Sequence, residues 1–88
     1  MQFSATQKQI LYKLWRHRCF GRGQIYVDNL LQGFPSHEID KIKNELDKLI
    51  KENVIIVIKK KHGKKVYINL EFRKEILKAL KEEYPFIR

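Results

Sequence analysis

The chain predicts a mainly helical α+β domain, and three observations carry that prediction. Two amphipathic stretches follow helical spacing in the first half, two β-branched runs flank a lysine-rich turn, and a further helical stripe lies towards the end. Eighty-eight residues suffice for one domain. At that size folding hides only about three-fifths of the unfolded surface, so a two-layer core is feasible and an enclosed active site is not expected.

Ser4-x-x-Gln7 has capping-box spacing, and Ile10, Leu11, Leu14 and Trp15 then share one side of a helix predicted over about Ala5 to Arg16. Cys19-Phe20-Gly21-Arg22-Gly23 interrupts it, and Gln24-Ile25-Tyr26 suits a short strand. Asp28 is placed to cap a short helix carrying Leu30 and Leu31, and Gly33 is expected to end it in a left-handed conformation. After Phe34-Pro35, Ser36 is the expected N-cap of a long helix from His37 to Glu52, with Ile39, Ile42, Leu46, Leu49 and Ile50 as its core stripe. A hairpin follows. Its strands are Val54 to Ile58 and Val66 to Leu70, joined through Lys59-Lys60-Lys61-His62-Gly63-Lys64-Lys65. With His62-Gly63 as a two-residue turn, Lys61 faces Lys64 and Lys60 faces Lys65, a repulsion that a polyanion would relieve. Asn69 or Leu70 leads into a last helix with Phe72, Ile76, Ala79, Leu80 and Tyr84 on one side, and Pro85 stops it.

The formal charge of +9 is unevenly spread. Residues 1–27 carry five bases (Lys8, Lys13, Arg16, Arg18, Arg22) and no acid, and residues 53–70 carry five lysines and no acid. Between them, residues 28–52 carry six acids against four bases. Such clustering favours an anionic partner over a general solubilising role. No run approaches the roughly 18 apolar residues of a membrane span, no signal peptide is apparent, and the lone Cys19 fits a reducing, intracellular setting. His17, Cys19, His37 and His62 are too scattered for a zinc motif, and Gly21-Arg22-Gly23 lacks the third glycine of a dinucleotide loop. No metal, cofactor or enzymatic activity is therefore expected, and no small-molecule ligand can be inferred.

With the turn Gly33-Phe34-Pro35-Ser36 joining two helices and the Leu46-x-x-Leu49-Ile50-x-x-x-Val54 join of long helix to hairpin, the chain resembles the winged helix-turn-helix family, in particular its compact archaeal members. The resemblance covers about residues 5–70 of a single domain, a three-helix core with a β-hairpin wing, and leaves an additional C-terminal helix over about residues 71–84. It implies double-stranded DNA as partner, the long helix entering the major groove and the wing touching the backbone nearby.

On the long helix, the side opposite the core stripe carries His37, Lys41, Asn44, Lys48 and Lys51; Asn44 suits an adenine edge, and Lys41 or His37 a guanine or phosphate acceptor. Ser36 would offer backbone N–H groups to a phosphate. The wing residues Lys59, Lys60, Lys61, His62, Lys64 and Lys65 would clamp phosphates, with Arg16, Arg18 and Arg22 as further backbone contacts. The plainer alternative is a solvated helix whose Lys41–Glu45 and Asp47–Lys51 pairs only decorate its surface. A protein-interaction module meeting an acidic surface, or RNA or single-strand binding with Tyr67 and His62 stacking on bases, are the rival functions. The hairpin is apolar on both faces near its base, so either the last helix or a second subunit must cover Val54, Ile56, Ile58 and Tyr67. That favours a homodimer with Phe72, Ile76, Leu80 and Tyr84 as the partner surface. With DNA as partner, the expected location is cytoplasmic and nucleoid-associated.

Overall fold

Ser4 starts the first helix as its spacing predicts: the Gln7 N–H donates to the Ser4 hydroxyl (3.1 Å) and the Ser4 N–H donates to the Gln7 side chain (3.0 Å). In a computed structural model describing residues 2–87, this helix, α1 (Ala5–Arg16), is followed by β1 (Ile25–Tyr26), α2 (Val27–Gln32), α3 (Ile39–Lys51), β2 (Ile55–Lys60), β3 (Gly63–Ile68) and α4 (Arg73–Glu83). Short 3-10 turns, Ser36–Glu38 and Leu70–Phe72, lead into α3 and α4. The three strands form one antiparallel sheet in the order β1-β3-β2. Four α-helices and this sheet, among the described residues, make a mainly helical α+β fold compatible with a winged helix.

The predicted stripes meet in one core. Ile10, Leu11 and Leu14 of α1, Leu30 of α2, Ile42 and Leu49 of α3, Ile55, Val66 and Ile68 of the sheet, and Ile76 and Leu80 of α4 are all fully buried. Both long helices that precede strands end in the same closure, with a non-glycine residue in the left-handed region. After α1, Arg18 (φ 55°) donates its N–H to the Trp15 carbonyl and Cys19 donates to Leu14; after α3, Asn53 (φ 63°) donates to Ile50 and Val54 to Leu49. The second closure turns the chain directly into β2. Asn69 locks it from the other side, its side-chain amide donating to the Asn53 carbonyl (2.8 Å) and its N–H to the Val54 carbonyl (2.9 Å).

Asp28 does not cap α2: the helix starts at Val27, with Tyr26 at the N-cap position and no side-chain cap, and Asp28 lies in its first turn. Four further expectations change. Gly33 is right-handed (φ −79°), because the Lys13 ammonium caps α2 instead, donating to the carbonyls of Leu30 (2.7 Å) and Asn29 (3.3 Å) in the space a side chain at Gly33 would fill. Ser36 makes no side-chain cap; it opens a 3-10 turn in which the Glu38 N–H donates to the Pro35 carbonyl, and α3 proper starts three residues later. The hairpin turns at Lys61-His62, with Lys60 paired to Gly63. Neither turn residue has positive φ, and the reversal is completed by Gly63 at φ +135°, where only glycine sits without strain. Lys59 therefore faces Lys64 and Ile58 faces Lys65; partners move by two positions, which leaves every side chain on its expected face.

The fourth change concerns the last helix, which packs against α1 and not over the hairpin. Ile76 and Leu80 are fully buried in that contact, Tyr84 stacks on Tyr12 with ring centroids 3.8 Å apart, and Lys8 reaches Glu82 (3.5 Å) and Glu83 (3.7 Å). Phe72 is half-buried against the same core. The stripe expected to receive a second subunit is spent within the chain. Of the hairpin's outer face, Val54 is buried while Ile56, Ile58 and Tyr67 stay partly exposed.

Candidate nucleic-acid interface

Because α3 buries Ile42, Leu46 and Leu49, helical geometry turns Lys41, Asn44, Lys48 and Lys51 outward, and all four are exposed. Together with Glu45 and Asp47 they line an open concavity of about 550 Å3. His37, in the preceding 3-10 turn, is exposed beyond its N-terminal end. The i,i+4 pairs that would make this face self-neutralising do not form. Glu45 instead takes Lys48 (3.1 Å) and accepts a hydrogen bond from the Ser4 hydroxyl (3.4 Å), and Lys41 and Lys51 have no ion pair among the described residues.

The hairpin lysines divide between two faces. Lys59 and Lys64 share the face of Val57 and Val66, which looks towards α3; Lys60 and Lys65 share the face of Ile58. Lys65 is half-buried, its ammonium 4.8 Å from the centroid of Tyr26, while Lys59, Lys60, Lys61, His62 and Lys64 are exposed. Lys64 closes a cleft of about 310 Å3 between hairpin and α3, lined also by Val27, Lys43, Leu46, Asp47, Ile50 and Val57. Asp47 borders both this cleft and the α3 concavity. Val27 and Lys64 in turn border a smaller cleft, about 210 Å3, that reaches Asp28, His62 and Gly63 at the hairpin tip. Through these shared residues a trough runs from the outer side of α3 to the turn, and its charged lining is five lysines (Lys41, Lys43, Lys48, Lys51, Lys64) against three acids (Asp28, Glu45, Asp47).

Two residues of this trough escape a reading of the sequence by segments. Lys43 sits beside the core stripe and reaches the trough only because the hairpin folds back along α3; its signal is its place one step from Ile42 on the flank towards β2. Asp28 lies far from the lysine cluster in sequence, yet it lines the tip cleft and brings an acid to a segment that contains none. No family model matches this chain, and neither a curated protein nor a solved structure matches it.

Arg16, Arg18 and Arg22 are exposed, and none of them lines the trough. Arg16 lies 5.5 Å over the Tyr12 ring, and Arg16 and Arg18 border a separate cavity with Trp15 and Phe86. Lys13 is withdrawn from any surface role: desolvation, then the neighbouring Arg16 charge, pushes its pKa down while it caps α2. Cys19 is buried, and burial pushes its thiol pKa up. Among the described residues no three of His, Cys, Asp and Glu gather as a metal site, and no helix is long and apolar enough to cross a membrane.

Proposed function

We propose that the protein is a non-enzymatic winged-helix module that binds double-stranded DNA, a small transcriptional regulator or chromatin-associated protein acting as a homodimer. The observation that carries this reading is the trough, which Lys41, Lys43, Lys51 and Lys64 line without an ion pair among the described residues, with Lys59 paired across the hairpin to Lys64. In this arrangement α3 enters the major groove with Asn44 at a base edge and Lys41 at a base or phosphate acceptor, and the hairpin lies along the adjoining backbone. Phosphate contacts supply most of the affinity, since α3 itself mixes acids with bases. Homodimerisation draws its support from the partly exposed Ile56, Ile58 and Tyr67 on the outer face of the sheet, which α4 leaves uncovered.

Fluorescence anisotropy with a random duplex at low salt is the decisive test of duplex binding. Sub-micromolar binding whose affinity falls steeply with salt is expected, and indifference to duplex at about 50 mM salt would overturn the reading. Sedimentation equilibrium tests the dimer independently. A strict monomer at high micromolar concentration would remove it.

A further inference from the structure

The last residues described build a second concave site. Tyr12, Trp15, Arg16, Arg18, Phe86 and Ile87 line a cavity of about 310 Å3, bordered by α1, the turn that ends it and the chain segment after α4. None of these residues lies on α3 or the hairpin. Phe86 is 71% exposed, the most exposed large apolar side chain among the described residues. It is nevertheless held, edge-on to both Tyr12 (centroids 6.3 Å) and Tyr84 (6.2 Å), while those two tyrosines occupy one another's faces. An ordered, open phenyl ring is a stacking platform.

The charge beside it is of one sign. Among the described residues no acid lines the cavity, and neither Arg16 nor Arg18 has an ion pair. The residue type matters as well. Fourteen of the nineteen bases are lysines, yet this cavity uses two of the five arginines, whose planar forks bind phosphate oxygens in pairs. We propose that this cavity binds an unpaired nucleobase together with its phosphate, the base stacked on Phe86 and the phosphate held by Arg16 and Arg18. The chemistry is that of single-strand recognition, an aromatic face beside a cationic rim, and a free nucleotide and the end of a single strand both present it.

Amide chemical-shift titration of the full chain tests this with four probes: adenosine monophosphate, ribose 5-phosphate, adenosine and a tetradeoxyadenylate. The monophosphate is expected to shift the amides around Arg16, Arg18 and Phe86 more than either fragment does. A further gain on going to the tetranucleotide assigns the site to a strand, and saturation by the mononucleotide assigns it to a free nucleotide. Phe86→Ala, at an exposed position that leaves the core intact, should weaken binding at least about fivefold. Arg18→Gly should weaken it too while the fold is retained. Unchanged affinity in Phe86→Ala, or shifts confined to α3 and the hairpin, overturns the proposal. Duplex binding by both variants should match the parent, so this site and the duplex reading can fail separately.

Discussion

Arg18 and Asn53 stand at equivalent points of two helix closures, and only one of them suits its conformation. Asparagine tolerates the left-handed region through its short polar side chain, whereas arginine carries a steric cost of about 1 kcal/mol there. Arg18→Gly should therefore raise stability by up to about 1 kcal/mol in urea unfolding, and Asn53→Ala should lower it by a similar amount. Gly23 behaves differently, since a Cβ there would collide with the Arg18 carbonyl. Lys13 is the residue whose loss should cost most for a surface-derived charge: Lys13→Met leaves the end of α2 without its ammonium, and about 1–2 kcal/mol should disappear from the unfolding free energy. Neither feature is legible in the sequence. The left-handed state of Arg18 follows from where Cys19 must go to reach the core, and Lys13 meets Leu30 only after two helices have packed.

Elements are more legible than their joints. Capping box, core stripes and strand parity all predict the right faces, because periodicity depends on burial, and burial follows the apolar pattern in α1, α3 and the hairpin. The turn and the start of α3 lie one to three residues from where the sequence puts them, since local hydrogen bonding decides there and periodicity is silent. The corrected register bears on function. Lys59 and Lys64 face α3, Lys60 and Lys65 face away, so Lys59→Ala with Lys64→Ala should weaken duplex binding more than Lys60→Ala with Lys65→Ala. The first pair should also flatten the salt dependence by about 0.9 in slope for each phosphate it no longer neutralises, and equal effects of the two pairs in a salt titration would count against the trough.

For the whole molecule, the segment charges point to the trough but not to its shape. Lys43 and Asp28 enter it only through tertiary folding, and the α4 stripe, which the sequence leaves free for a second subunit, is used to cover α1. Two groups, the buried Cys19 thiol and the partly buried Tyr84 phenol, should lower stability at alkaline pH. Burial holds the Cys19 thiol above its ordinary 9.0, and burial, then Glu83 and Tyr12, hold the Tyr84 phenol above 10.0 against a smaller opposing pull from Lys8. Each folded-state pKa is raised, so each contribution is complete below the unfolded value and is lost as pH rises through the folded one. Lys13, shifted down, works in the opposite direction and is a single group against two. Urea midpoints should consequently fall as pH rises from about 8.5 to about 11, less steeply in Cys19→Ala.

The short β1 strand has a mechanical consequence. It supports β3 only at Lys65 and Val66, so the rungs from Lys59–Lys64 to the turn overhang like a cantilever, with no further strand on either edge among the described residues. Amides of that overhang should exchange with solvent far faster than those at Tyr67 and Ile68, and a bound duplex should slow them. A tip that bends at low cost can follow grooves of differing width, so it would grip many sequences almost equally and leave discrimination to the stiff helix beside it.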